Sequence, residues 1–350
     1  ADEDGGMSGA RLLDAWLIGI EVIAWLGEAF NLSHYSKGWH TTLTLGAPGV
    51  AAACARLLGL DKAATAHAIG LSVSMATGSK RQFGSMAKPV HAGMAAKAGI
   101  LAAGMARAGV DAAPDVFEGR WGMLEMMAGP DAAGFGPTDP PRSGPGAVER
   151  YGVWFKAWPS CGSTHRPVAA ALALRDQGGW VADEIAQIEA FVSPTAVGNL
   201  RFIYPESPAE AKFCLPFCVC SALLDGRLGL ASFAPARTSR ADVRALTGRF
   251  VMTPDPALSG QALGAALFEH GTVEITLRSG RRLRAGCEHP PGHPQNPMPQ
   301  TALREKFFDC AGYGGVSAAA ARKLWEDVSG LGGPEPCNAL LRADDLSRVC

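Results

Sequence analysis

Apolar residues fill nearly every face of a helix across residues 10–30, a pattern that predicts a helix buried within a bundle. More helical segments follow. Pro48 and Gly49 precede an apolar run at 50–58, and Asp61 is placed to cap a helix that extends to about Thr77. Pro89 stands at a first helical position and opens an Ala/Gly-rich helix that runs to about Arg107. The small residues Ala92, Gly93, Ala96, Gly99 and Ala103 on it predict very close helix contacts. Residues 12–26 are the most apolar stretch. They carry Asp14 and Glu21 and fall short of the roughly 20 residues a membrane span needs, so a buried helix is expected.

The pattern breaks at 129–147, where five glycines and five prolines occur in nineteen residues without an apolar period. This is the composition of a linker. Beyond it the chain is mixed. A strand-like run at 151–156 leads through Pro159 into a helix capped by Thr164, and Ile188, Ala190 and Val192 alternate as in a strand. A helix is expected over 209–224. Val273, Ile275 and Leu277 alternate with polar residues before Ser279-Gly280 turns the chain into Leu283, Ala285 and Cys287, which predicts a hairpin. A Pro-rich connector at 289–299 precedes helices near 302–310 and 318–328. The expected fold is mainly α with a smaller α+β domain. Its parts are a helical domain at 1–150, an α+β domain at 151–290 and C-terminal helices at 291–350 that return to the first domain.

Composition narrows the function. Hydrophobic residues make up 47% and charged residues 19% of the 350, with a net charge of −1, so the chain is globular and has no electrostatic footprint for nucleic acid or an anionic membrane. An anionic ligand would need a local cluster of cations. The cysteine count is nine, which is odd, and no signal peptide is visible; reduced thiols in a cytoplasm are expected. Cys214, Cys218 and Cys220 lack the partners of a metal motif and read as buried structural thiols.

Polar groups concentrate beside Gly and Pro in four places: Gly38–Thr42 with His40, residues 80–91, residues 155–165, and Ala211-Lys212-Phe213. The second holds Lys80, Arg81, Gln82, Lys88 and His91, with Lys88 expected just outside the start of the following helix because it precedes Pro89. Cations at a helix N-terminus make a natural carboxylate site. Lys156 ends an apolar run and His165 begins a helix. Nucleotide, phosphate-loop, metalloprotease and serine-hydrolase motifs are absent from the sequence.

Taken in order, these segments resemble the MmgE/PrpD family, whose members dehydrate 2-methylcitrate, decarboxylate cis-aconitate or epimerise iminodisuccinate. The likeness is carried by Gly38-Trp39-His40-Thr41-Thr42, by Lys88-Pro89-Val90-His91-Ala92-Gly93, by Pro159-Ser160-Cys161-Gly162-Ser163-Thr164-His165, by Leu223-Leu224-Asp225-Gly226, and by His289-Pro290 with Asn296-Pro297. The resemblance implies a large helical domain, a smaller lid domain, a homodimer and an active site in the cleft between the domains. It also implies a pocket histidine at His40, a substrate-binding or catalytic lysine at Lys88, and a domain-junction lysine at Lys156. Phe217 falls where decarboxylase-like members carry a tyrosine, and Lys80 near a position that is commonly arginine.

The expected activity is a lyase or isomerase without cofactor or metal. It would act on a small polycarboxylate by proton transfer next to a carboxylate. His40, Lys88 and Lys156 are the catalytic candidates; Lys80, Gln82, His91, His165 and Phe217 are the substrate-binding ones. An opening helical segment of the family is expected to be missing. The alternative is therefore an incomplete fragment or a structural partner, completed by a second chain.

Overall fold

In a computed structural model that describes residues 7–130, 132–135, 144–258 and 271–332, the chain divides into two compact units. The first takes in the described residues of Ala1–Arg81, Ala87–Gly152 and Phe307–Cys350; the second takes in those of Gln82–Met86 and Val153–Lys306.

The first unit is helical: α1 (Gly9–Phe30), α2 (Ser33–Ser36), α3 (Thr41–Thr44), α4 (Gly46–Leu57), α5 (Lys62–Val73), α6 (Ala87–Arg107), α7 (Met123–Met127) and α8 (Ala147–Tyr151). Ser8 caps α1 by accepting from the Arg11 amide at 3.3 Å, and Asp61 caps α5 by accepting from Ala64 at 2.8 Å. Packing runs through small residues, with α4 against α1, α5 and α6. Leu26, Phe30, Leu45, Met123 and Met127 fill the core.

Three sequence expectations change here. Helix α4 starts at Gly46 and α6 at Ala87, each earlier than Pro48 and Pro89 suggest, so Lys88 lies inside the first turn of α6. The first four helical amides have no intrahelical acceptor, so a proline at the third position of either helix costs no hydrogen bond. Helix α5 ends at Val73, short of Thr77. The third change concerns α1, which is not buried on every face. It turns Ala15 and Gly19 inward, while Leu13, Trp16, Leu17 and Trp25 remain 38–44% exposed. A Cβ on Gly19 would stand 3.0 Å from the Gly49 carbonyl oxygen, so the small residues set the contact with α4, and Leu13, Trp16, Leu17 and Trp25 stay outside it.

Gly99 is the tightest of these contacts within α6. An added Cβ would lie 2.5 Å from the Val50 Cβ and 2.6 Å from the Ala51 backbone nitrogen. Alanine would gain about 1 kcal/mol as a better helix former, but it would force α4 and α6 apart at backbone atoms. Overpacking of this kind costs about 1–3 kcal/mol. Gly99→Ala is therefore expected to be net destabilising, by up to about 2 kcal/mol, read from the midpoint of a urea melt.

The second unit holds α9 (His165–Gln177), α10 (Pro194–Asn199), α11 (Pro208–Ala211), α12 (Leu215–Asp225), α13 (Pro235–Thr238) and α14 (Ala241–Thr247). Its strands are β1 (Ile185–Val192), β2 (Phe250–Pro254), β3 (Gly271–Leu277) and β4 (Arg282–Cys287), in the order β2-β1-β3-β4. Strands β1 and β2 are parallel, and β1–β3 and β3–β4 are antiparallel. Val273, Ile275 and Leu277 point into the core with Ile185 and Ile188, as their alternation predicts. The β3–β4 hairpin turns at Ser279-Gly280, where Gly280 has φ +85°. Helices α9 and α12 pack together, with α9 also against β3 and β4.

No strand forms over 151–156: α8 ends at Tyr151, and the Phe155 amide then donates to the Gly292 carbonyl at 2.9 Å. The helix expected over 209–224 is two helices. Pro216 lacks an amide hydrogen, so it fits near the start of α12 rather than inside a longer helix. Thr164 sits at the N-cap position of α9 with helical backbone angles, and its hydroxyl turns back to the Cys161 carbonyl at 2.8 Å instead of capping forward. Two further helices, α15 (Gln300–Tyr313) and α16 (Ala318–Ser329), follow the connector, and Phe307 and Phe308 of α15 meet Trp325 of α16. Of the expected linker, 131 and 136–143 fall outside the described residues, as do Cys337 and Cys350. Among the described residues no helix is long and apolar enough to cross a membrane.

Candidate functional site

A short backbone bridge unites the first two polar segments in the helical unit. Trp39 pairs with Ser79 in antiparallel fashion, the His40 amide donates to the Gly78 carbonyl at 2.9 Å, and the Lys80 amide donates to the Gly38 carbonyl at 2.8 Å. Gly38 has φ +98°, a region that glycine enters without cost. This pairing sets His40 at the N-cap of α3, 5% exposed, beside α6.

His91 lies one turn into α6 and is 6% exposed. Its Nδ1 is 2.8 Å from the His40 Nδ1, and the Thr42 hydroxyl is 3.0 Å from the His40 Nε2. Gly78 has φ +149°, and a Cβ there would press on the Leu43 Cβ at 3.2 Å, so glycine suits this turn beside the rings. Lys88 stands three residues before His91, on the same helix face. Burial first, and then the Lys88 charge, lower the His91 pKa below its ordinary 6.5. Lys80 is engaged with Tyr35: its Nζ donates to the Tyr35 carbonyl at 3.3 Å and lies 3.6 Å from the ring centroid.

A buried histidine that sequence reasoning did not single out sits close by in the chain. His34 is fully buried, edge-on to Phe30 and stacked with Trp39, and neither ring nitrogen has a hydrogen-bond partner. Burial pulls its pKa down to about 4, so the ring is neutral near pH 7.

The remaining candidates belong to the second unit. Gln82 is exposed in a short 3₁₀ turn, where the Ser85 hydroxyl bonds its carbonyl and its side chain. Lys156 is exposed, with its Nζ donating to the Ser160 carbonyl at 3.2 Å. The Ser160 and Thr164 hydroxyls are 2.7 Å apart. His165 is 4% exposed and leans on Trp158, with its Nε2 making no hydrogen bond. Burial, followed by the nearby Lys156 charge, pulls its pKa down to about 4. Phe217 is a core residue: 1% exposed, packed against Phe233, and carried on the inner part of α12. Its large apolar ring fills the unit rather than presenting a surface, so a substrate contact is not what its surroundings give it.

Cys214, Cys218 and Cys220 are buried, and burial raises all three thiol pKa values, which keeps them protonated and unreactive. Among the described residues no group of three His, Cys, Asp or Glu side chains is gathered to hold a metal. Two site neighbours escaped the sequence reading. Thr42 had a local signal, a hydroxyl two residues beyond His40. Tyr35 had none, because its contact with Lys80 is made by the bridge between distant segments.

Residues 1–135 match the MmgE/PrpD N-terminal domain and residues 158–329 the MmgE/PrpD C-terminal domain. The chain is similar to the cis-aconitate decarboxylase of Homo sapiens, 29% identical over 335 residues that cover 93% of this chain and 65% of the relative. The Mus musculus enzyme of the same name is 29% identical over 86% of this chain and 61% of its own length. That of Aspergillus terreus is 25% identical over 89% and 66%. The chain thus spans about three-fifths to two-thirds of the length of these relatives. The expected lack of an opening segment needs correcting in one respect: the N-terminal domain is represented, matched from residue 1. With the two domains of one family matched in order along a chain whose shared motifs build the His40–His91 site, the protein belongs to the MmgE/PrpD family.

Proposed function

We propose that this chain is a lyase or isomerase that moves a proton at a carbon next to a carboxylate of a small polycarboxylate, without a cofactor. The observation that carries the reading is the buried, hydrogen-bonded His40–His91 pair beside Lys88 in the first turn of a long helix. A helix N-terminus and a lysine both favour a carboxylate. They also offset the charge that builds up on an enolate-like intermediate. Within the helical unit, His40 serves as general base or acid, and Lys88 and Lys80 bind carboxylates. The names of the relatives favour cis-aconitate as the first substrate to try.

Three outcomes are open to such a site, and each builds negative charge beside a carboxylate. In decarboxylation the electron pair of the broken carbon–carboxyl bond stays on the substrate carbon, CO2 leaves, and an acid supplies a proton to the skeleton. In dehydration a base takes the proton beside the carboxylate and the hydroxyl leaves as water. In epimerisation the proton returns to the opposite face. Phe217 has no hydroxyl with which to move a proton, which leaves dehydration and epimerisation open beside decarboxylation.

The test is product analysis after separate incubation with cis-aconitate, citrate, 2-methylcitrate and iminodisuccinate. Turnover of one of them supports the reading. A folded chain that transforms none of them contradicts it. A second reading, a structural partner that works with another polypeptide, draws on the exposed Leu13, Trp16, Leu17 and Trp25 of α1. Light scattering on an active sample separates the two, because a stable, active homodimer leaves that face no outside partner to explain.

A further inference from the structure

The geometry points to His91 as a positioning residue that fixes the tautomer of His40, rather than a group that touches substrate. This rests on the reading of His40 as a proton carrier given above.

Two ring nitrogens 2.8 Å apart share one proton along the line between them. If that proton belongs to His40 Nδ1, the neutral His40 has a bare Nε2, and the Thr42 hydroxyl donates to it. If it belongs to His91 Nδ1, the neutral His40 carries its proton on Nε2 and has no lone pair there to act as a base. The surroundings select the first arrangement. The two rings are equally buried, but a positive charge on His91 would form beside Lys88, whose charge already opposes it. A positive charge on His40 is met by acceptors at both ends, the His91 Nδ1 and the Thr42 hydroxyl oxygen. Thr42 is exposed, so the Nε2 edge of His40 is the one that adjoins the surface.

In this arrangement the Thr42 hydroxyl rotates its hydrogen away, His40 Nε2 accepts the proton from the substrate carbon, the resulting imidazolium keeps its Nδ1–H on His91, and Nε2 later returns the proton. His91 then does for His40 what a buried carboxylate does for a catalytic histidine elsewhere: it holds the ring and its tautomer. Because His91 is neutral, it does so without placing an anion where the substrate carboxylate must bind.

Long-range ¹H–¹⁵N correlation of the ¹⁵N-labelled chain reads both tautomers directly, with His40→Gln assigning the signals. The expected result is Nδ1–H with a bare Nε2 for His40 and Nε2–H for His91. His91→Asn retains an acceptor near the Nδ1 position and should preserve the His40 tautomer. His91→Leu removes it, should shift His40 toward Nε2–H, and should lower kcat about 100-fold with KM changed less than about threefold. A wild-type His40 found as Nε2–H overturns the assignment, as does a His91→Leu enzyme with raised KM and unchanged kcat. Should His91→Leu fail to fold, the wild-type tautomers and His91→Asn still decide. The expected tautomers in a chain inactive on every polycarboxylate would uphold the pairing and count against the proposed reaction.

Discussion

Lys88→Ala is expected to lower kcat/KM at least about 1,000-fold, a loss of about 4 kcal/mol of transition-state stabilisation, while the melting temperature stays within a few degrees of wild type. The two halves of this expectation have separate physical grounds. A lysine in the first turn of α6 opposes the helix dipole, so the helix does not need its charge. The same charge lies at a helix N-terminus, where a carboxylate is favoured by the lysine and by the helix dipole alike. A residue placed against local preference is the kind of conflict that marks a working site. The neutral variant should also relieve part of the depression of the His91 pKa, since burial, its larger cause, remains while the Lys88 charge is gone. Initial rates together with a circular-dichroism melt check the claim. An unchanged rate in the folded variant would remove Lys88 from the site.

Acid should destabilise the protein steeply between about pH 6.5 and pH 4. His34 and His165 each have a folded pKa of about 4, below the 6.5 of an exposed ring, chiefly because of burial. Above pH 6.5 neither state binds a proton there and the full stability is present. Between the two values the unfolded chain takes up protons that the folded chain refuses, so stability falls as pH falls. Each ring contributes roughly 3 kcal/mol across the window. For a domain whose whole stability is about 5–15 kcal/mol, this is a large share. Urea melts from pH 7.5 to pH 4.5 measure the slope. His34→Phe keeps an aromatic ring against Phe30 and Trp39 and removes the titration, so it should flatten the slope by about half. A variant with the wild-type slope would show that His34 is not the group responsible.

The helices with a strong local signal were legible in the sequence. Asp61 caps α5, the alternation at 273–277 forms β3, and Ser279-Gly280 makes its turn. What was not legible depends on tertiary contact. Residues 151–156 carry strand-like side chains but form no strand, because Phe155 finds a single backbone partner in the Gly292 loop. Helix α1 has apolar residues all round, and only its packing on α4 through Gly19 decides which of them stay exposed. Within the site, His40, Lys88 and His91 could be named from their motifs. The 2.8 Å contact between two histidines fifty-one positions apart could not, since it arises from the pairing of Trp39 with Ser79 and from the fit of α3 against α6. Phe217 was visible as a departure at a motif position, but its place in the core follows from the burial of α12.

The most direct test of the central claim is proton NMR of the purified chain in D2O with each candidate polycarboxylate, comparing wild type with His40→Gln. The account predicts that wild type converts one substrate, seen as deuterium incorporated beside a carboxylate, a new vinyl signal or an epimer, and that the substitution slows this by at least about 100-fold. Conversion at the same rate in both proteins, or no change in any of the four compounds with a folded wild-type chain, would contradict it.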